Sequence, residues 1–380
     1  MKRNYDLLVH KYSVCVMGFV LFCANHTKGV GLKKIQKYFS LTLPLLWLGA
    51  ICWLSYSCQS KTTDVKQQSS IDKITEPIPV ILDTDISGDY DDVGAMAVLH
   101  ALADKGEIRI LATVASNQSP LVAPTIEVIN TYFGRPDLPI GAPKISGTTR
   151  DSRNIHWPDT LMANFPHTIQ SNDDVPGAVQ VYRSVLNSQP DTSVTIITVG
   201  YLTNMKNLLQ SPPDSISSLA GKELIRKKVK TWVAMAGDFE DGREANVRKD
   251  SAASHYAISN WPTPVVFSGF EIGNDIVTGL ELVKSGERTP ITIPYRIGIS
   301  SRPIDRKGRP SWDQTAVLAA GRGFDPYFST RRGKFTATAD GLSSWKDDPE
   351  GPHIRLVKKM GTEALTKEIE ALMMHRPKEE

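Results

Sequence analysis

One short run limits what this chain can become. PVILDTDISGDYDDVGAMAVL begins at Pro79 and carries Asp83, Asp85, Asp89, Asp91 and Asp92, five carboxylates within ten residues. The apolar PVIL ahead of them reads as a short buried strand, and Val93, Met96, Ala97 and His100 behind them recur at helical spacing. Carboxylates this close repel one another unless a cation or a partner neutralises them. Three chemistries use such a cluster. Asp83-x-Asp85-x-Ser87-Gly88 fits the opening of a calcium loop of the EF-hand type. Asp83-x-Asp85 after a strand fits the nucleophile and acid of an aspartate-based phosphatase. The whole run also fits a metal and sugar-hydroxyl site at the end of a strand.

Beyond the run, strand-like and helix-like segments alternate. IRILATVAS, LPIGAP, SVTIITVG, VKTWVAMAG and TPVVFSGFE read as strands. LVAPTIEVINTYFGR, GAVQVYRSVLNSQ, LTNMKNLLQ and KDSAASHYAISNW read as helices, and GTEALTKEIEALMMHRP as an amphipathic closing helix. This alternation predicts an α/β fold with a mostly parallel sheet and helices on both faces. A long loop is expected from about Lys144 to Asp174. In such sheets ligands bind beyond the carboxyl ends of the strands. Four polar stretches fall at those ends: Asp83 to Asp92, Asn117, Gly200 to Asn204, and Gly237 to Asn246.

Residues 1–58 have a different character. Basic Lys33, Lys34 and Lys37 precede an apolar run from Leu41 to Leu54, and SYSCQS follows it around Cys58. That is the layout of an export signal ending in a lipoprotein-type cleavage site. It predicts an exported protein, periplasmic or outer-membrane-tethered, joined to the membrane by this leader or by a lipid on Cys58. Residues 59–75 are polar and read as a flexible tether, which leaves 76–380 as the catalytic body. All four cysteines lie in the leader, so the body holds neither a disulfide framework nor a cysteine metal site. The formal net charge is only +3 and no basic stripe is interleaved with aromatics, which argues against nucleic acid as a partner.

The three chemistries are not equally served. The last position of an EF-hand loop needs a bidentate glutamate, and here it is Gly94. The phosphatase reading can use AGDFED (Ala236 to Asp241) as a late acidic pair, but it leaves Asp91, Asp92 and the downstream SWDQ without a role. The strand-end site uses more of the chain. DTDISGDYDDVGA, TVASN, TVGYLTN, VAMAGDF, REANVRKDSAA and SWDQTAVL, in this order and spacing, resemble the inosine–uridine-preferring nucleoside hydrolase family in a longer-loop variant.

The resemblance implies hydrolysis of the N-glycosidic bond of a nucleoside or related riboside. It also implies a calcium ion that clamps ribose hydroxyls and acidifies a water. Asp85, Asp92, Asp313 and the backbone carbonyl of Val199 would hold the metal. Asp85 would also be the general base, and Asp91 would meet a ribose hydroxyl. Asn117, Glu244 and Asn246 would hold the sugar. Family members assemble as dimers or tetramers, so a homo-oligomer is expected. One departure concerns the leaving group. The best-known members carry a histidine just before the late aspartate, and here Trp312 stands there, able to stack on a base but not to protonate it. His156 and His167 in the long loop are the candidate substitutes. The same departure leaves open a sugar- or glycan-binding module that kept the fold and lost catalysis. Each site residue also has a plainer role open to it. Asp91, Asp92 and Asp313 open helices, where acids are favoured anyway, and Asn117, Glu244 and Asn246 fit turns, caps or loops.

Overall fold

The computed structural model describes residues 76–144 and 156–377. The expected leader, tether and Cys58 lie outside the described residues. The body opens with β1 (Ile78–Thr84), α1 (Asp91–Asp104), β2 (Ile108–Ala115), α2 (Val122–Tyr132) and β3 (Ile140–Gly141). It continues through α3 (Trp157–Asn164), α4 (Ala178–Ser188), β4 (Val194–Thr198), α5 (Thr203–Gln210), α6 (Gly221–Lys228) and β5 (Val229–Met235). Then come β6 (Asp241–Gly242), α7 (Ala245–Lys249), α8 (Ser251–Asn260), β7 (Val265–Ser268), α9 (Phe270–Gly273) and β8 (Val277–Thr278). The last part holds α10 (Leu280–Lys284), α11 (Thr292–Ser301), β9 (Arg309–Pro310), α12 (Trp312–Arg322), β10 (Phe328–Ala337), β11 (Ser343–Asp347), β12 (His353–Lys358) and α13 (Thr362–Met373).

The main sheet runs β3-β2-β1-β4-β5-β7-β12-β10-β11-β6. Every pair from β3 to β12 is parallel, and β10, β11 and β6 extend the sheet antiparallel. β1 is central and therefore apolar on both sides. Val80 and Leu82 pack into one core with α1, α2, α12 and α13, while Ile81 packs into the other with α4, α5, α6 and α8. Helices on both faces of a mostly parallel sheet are what the alternation predicts. Two features differ from the sequence reading. α3 lies within the expected loop. Residues 328–358 form three strands, and β10 is exposed at most of its positions, so it lacks the apolar run that marks a strand in sequence.

The chain order makes the site. From β1 the chain moves outward to β2 and β3, then returns to the other side of β1 for β4, β5 and β7. The strand order thus reverses between β1 and β4, and a crevice opens beyond their carboxyl ends. The acidic run leaves β1 there, and Val199 and Gly200 leave β4 beside it. Asp83, the last inward carboxylate of β1, is fully buried. Its Oδ2 accepts hydrogen bonds from the Tyr182 hydroxyl (2.8 Å) and Asn204 Nδ2 (2.9 Å), which link α4 and α5 to the strand. Burial pushes its carboxyl up to about 7, against the lowering by these donors. Asp83 is therefore scaffold. Removing one donor from this carboxylate exposes the cost of burying it. Tyr182→Phe is expected to lower unfolding stability by roughly 1.5–3 kcal/mol, read from urea denaturation as a lower midpoint at unchanged slope.

Candidate active site

Asp85, Asp91, Asp92 and Asp313 are each less than 5% exposed, although all four are carboxylates. They arrive on three elements. Asp85 lies on the loop after β1, Asp91 and Asp92 open α1, and Asp313 sits in the first turn of α12. Two helix N-termini therefore aim their partial positive charge at one place. Close approach makes this possible. A Cβ on Gly200 would lie 2.5 Å from the Asp85 nitrogen, and one on Gly94 would lie 2.3 Å from Gln314 Nε2. Any side chain at these positions would push the β4 loop off the acidic loop, or α12 off α1. Thr84 donates to Asp92 Oδ1 at 2.5 Å, whereas Asp92 Oδ2 is buried with no hydrogen-bond partner. Burial pushes the Asp92 and Asp313 carboxyls well above their ordinary range, and the neighbouring aspartates push them further.

The acidic run contains one internal cation that sequence reasoning missed. Arg309, 4% exposed, sends Nε (3.0 Å) and Nη2 (2.7 Å) to Asp91 Oδ1. Nη2 also reaches Asp89 Oδ2 at 2.8 Å. Its guanidinium carbon lies 4.9 Å from the ring centroid of Trp312 and 5.3 Å from that of Tyr90. The short β8–β9 ribbon, which pairs Thr278 with Arg309, holds it in register. Three acidic side chains, Asp89, Asp91 and Asp92, bring ligand atoms within 4.8 Å of one another. Arg309 already serves two of them.

Asp85, Asp89, Asp91, Arg309 and Asp313 line a cavity of about 320 Å³, together with Val199, Glu244, Asn246 and Trp312. Phe270 stacks on Trp312 at 5.0 Å and forms an aromatic wall, and the Trp312 indole N–H is spent on the Phe270 carbonyl at 3.0 Å. Glu244 is the N-cap of α7, with Oε1 accepting from Asn246 N (2.6 Å) and Oε2 from Val247 N (3.1 Å) and Gly237 N (3.2 Å). Asn246 gives its amide to the carbonyls of Val199 (3.0 Å) and Met235 (3.1 Å). Both therefore shape the wall as well as line it. Asn117 is placed differently from expectation. It is fully buried outside the lining, where its amide holds the Asp85 carbonyl at 3.1 Å and its carbonyl accepts from Ser119 N at 3.0 Å. Its short polar side chain closes a turn beneath the acidic loop. Asp92 also lies behind the lining. Neither His156 nor His167 lines the cavity, and His156 points to solvent beside Asp159.

The donor set suits a hard divalent cation. Asp85, Asp92, Asp313 and the Val199 carbonyl offer only oxygen, which is what calcium and magnesium take. The partnerless Asp92 Oδ2 and the raised Asp313 carboxyl show negative charge that Arg309 does not compensate. By contrast, Asp83 lies outside the cavity lining and is committed to Tyr182 and Asn204, so it cannot be a phosphatase nucleophile. A strand, not a helix, precedes the acidic loop, which removes the EF-hand reading as well.

A mostly parallel sheet with an acidic, aromatic-walled cavity at its switch point defines an α/β protein with a ligand site beyond its strand ends. The description "Inosine-uridine preferring nucleoside hydrolase" matches residues 80–360, and the chain belongs to that family. Solved structures agree on the fold. A plant nucleoside hydrolase superposes with a TM-score of 0.59 at 16% identity, covering 78% of this chain and 99% of its own. A purine-preferring ribonucleoside hydrolase from Gardnerella vaginalis gives 0.59 at 15% identity, with 78% and 99% covered. An inosine-uridine preferring nucleoside hydrolase from Bacillus anthracis gives 0.58 at 14% identity, again with 78% and 99% covered. Among curated proteins, none matches the chain significantly.

Glu244 permits a test of the wall that is independent of turnover. Burial raises its carboxyl to about 7 from an ordinary 4.5. The folded state therefore holds this proton more tightly than the unfolded state. Its contribution to stability falls as pH rises from about 4.5 to about 7, by roughly 2–3 kcal/mol if the full shift is realised. Urea denaturation of Glu244→Gln across this window is expected to show a shallower loss with pH than the wild type.

Proposed function

We propose that the cavity hydrolyses the N-glycosidic bond of ribonucleosides or related ribosides, releasing base and ribose, with calcium as the metal. The observation that carries this reading is the approach of Asp313 to Asp85 and Asp92, which the acidic run holds more than 200 residues earlier in the chain, all three buried and only partly neutralised. Calcium, when bound by these carboxylates and the Val199 carbonyl, supplies a positive centre for ribose hydroxyls and for an acidified water. The remaining steps belong to the protein. Asp85, on the cavity floor, takes the proton of the attacking water. Asp91 is oriented by Arg309 through one oxygen and meets a sugar hydroxyl with the other. The sugar carbon develops cationic character as the base leaves, and the surrounding carboxylates stabilise that charge. Asn246 lines the same wall and fixes the Val199 carbonyl. The base stacks on the Trp312–Phe270 wall. Among the described residues no histidine lines the cavity, so leaving-group help falls to stacking and to hydrogen bonds from cavity arginine.

Titration calorimetry with calcium, and chromatography of a nucleoside panel, test this directly. Asp92→Asn is expected to weaken calcium binding by at least about tenfold. Asp85→Asn is expected to lower kcat by roughly 10²–10⁴-fold while the fold survives. A calcium-loaded protein that hydrolyses no member of the panel overturns the reaction.

Export and lipid tethering through Cys58 belong to the same proposal and are motivated by the leader alone. Expressed in a bacterial host, the protein is expected in the detergent phase, with a mature N-terminus at Cys58 carrying a lipid mass. An intact Met1 on the purified protein would falsify this.

A further inference from the structure

The cavity is divided by charge and by depth. Its buried floor is acidic, with Asp85, Asp91 and Asp313, whereas its outer lining includes Arg243, Arg248 and Arg302, the first two exposed and the third half-buried. These arginines come from separate places. Arg243 precedes α7, Arg248 lies in its last turn, and Arg302 follows α11. Their pairing differs. Arg243 is committed to Asp340 on the β10–β11 turn. Arg302 pairs with Asp305 at 3.3 Å, an acid that also accepts from the Tyr90 hydroxyl at 2.8 Å and faces Arg309 at 3.8 Å. Among the described residues, no acid or hydrogen-bond acceptor engages the Arg248 guanidinium. Asp238 is the acid at this level, and burial raises its carboxyl, which weakens its claim on a cation.

A neutral riboside gives these guanidinium groups nothing to bind. A phosphate does, because guanidinium forks fit its oxygens and the charges attract. The floor carboxylates repel a phosphate, and the arginines of the outer lining attract it, so the two levels sort a two-ended ligand: sugar inward, anion outward. We infer that this site selects ribosides that carry a phosphate, with the phosphate held at the cavity mouth by Arg248 and Arg302. The inference rests on the reading of the floor as a riboside site and narrows it to phosphorylated members.

The test measures binding as well as turnover, so its outcome does not depend on hydrolysis. Adenosine, adenosine 5′-monophosphate and adenosine 5′-diphosphate are titrated into the wild-type protein and into Arg248→Ala and Arg248→Ala/Arg302→Ala, at fixed free calcium and at two salt concentrations. At low salt the wild type is expected to bind a phosphorylated ligand at least about tenfold more tightly than adenosine. That ratio should shrink at high salt, as screening predicts. It should fall at least about fivefold in the double variant, with Arg248→Ala intermediate. Preference for the monophosphate or the diphosphate reports how far the anion extends. Among the described residues the Arg248 guanidinium has no hydrogen-bond or ion-pair partner to lose, so its single variant reads the mouth with little disturbance of the fold. Adenosine bound as tightly as both phosphorylated ligands, or a ratio unchanged in the double variant, overturns the inference. If binding shows the preference but no ligand is hydrolysed, the proposed reaction fails while the specificity stands.

Discussion

Carboxylates out of water at the end of a central strand are the constraint on which this molecule turns. Taking a carboxylate out of water costs several kcal/mol after relaxation. Here Asp83, Asp85, Asp91, Asp92 and Asp313 are all nearly inaccessible. The surrounding structure divides the cost. Asp83 accepts from a tyrosine and an asparagine through Oδ2. Asp89 and Asp91 share the guanidinium of Arg309, and two helix N-termini face Asp91, Asp92 and Asp313. The repulsion that remains is felt most by Asp92 and Asp313, whose carboxyls burial and the neighbouring aspartates raise well above their ordinary range. Asp92 Oδ2 is left without a partner as Asp83 Oδ1 is, but it belongs to a carboxylate that Asp85, Asp89 and Asp91 also repel. The residual negative charge is therefore the functional part, and the neighbouring compensations keep it from unfolding the site.

Much of the architecture could be read in the sequence because it obeys local rules. β1 opens on an apolar run because helices cover both sides of it, and α4 and α5 show a 3.6-residue spacing, whereas α1 is buried nearly all round. The acidic run announced a site because five carboxylates cannot be explained as surface. Arg309 could not be read in the same way. It is 218 residues from Asp91, and in KGRPSWD nothing separates it from an exposed arginine. Only folding shows that a two-residue ribbon turns it inward. Asn117 and Glu244 were legible as strand-end polar residues but not as to direction. Whether such a side chain faces a ligand or ties down its own backbone is decided by turn geometry over a few ångström. β10 escaped because alternating exposure and an interposed Arg-Arg pair erase the apolar run that marks an internal strand.

The close approaches explain why the site tolerates so little change in its frame. Gly200 and Gly94 contribute no chemistry, yet each lets two acid-bearing segments meet without an intervening Cβ. The switch point supplies the crevice, the glycines its depth, and the β8–β9 ribbon its counter-ion. Geometry that depends on three unrelated segments is more exacting than a single-loop metal site.

The exchange of a titratable group for a tryptophan beside a buried arginine changes the character of the chemistry. A histidine acid loses its proton near neutral pH, so help to the leaving base fades as pH rises. An arginine keeps its charge across the whole physiological range, and the Asp89–Asp91 pair raises its affinity for the proton further. Arg309 can lend its charge and hydrogen bonds but cannot transfer a proton. Any help it gives to a departing base is therefore electrostatic and nearly independent of pH, and the pH dependence of the site falls to its carboxylates. The same side chain is bound to Asp91, which the proposed reaction assigns to the sugar. A disturbance of the base end would then be felt at the sugar end through one guanidinium, so leaving-group stabilisation and sugar positioning are coupled by covalent geometry.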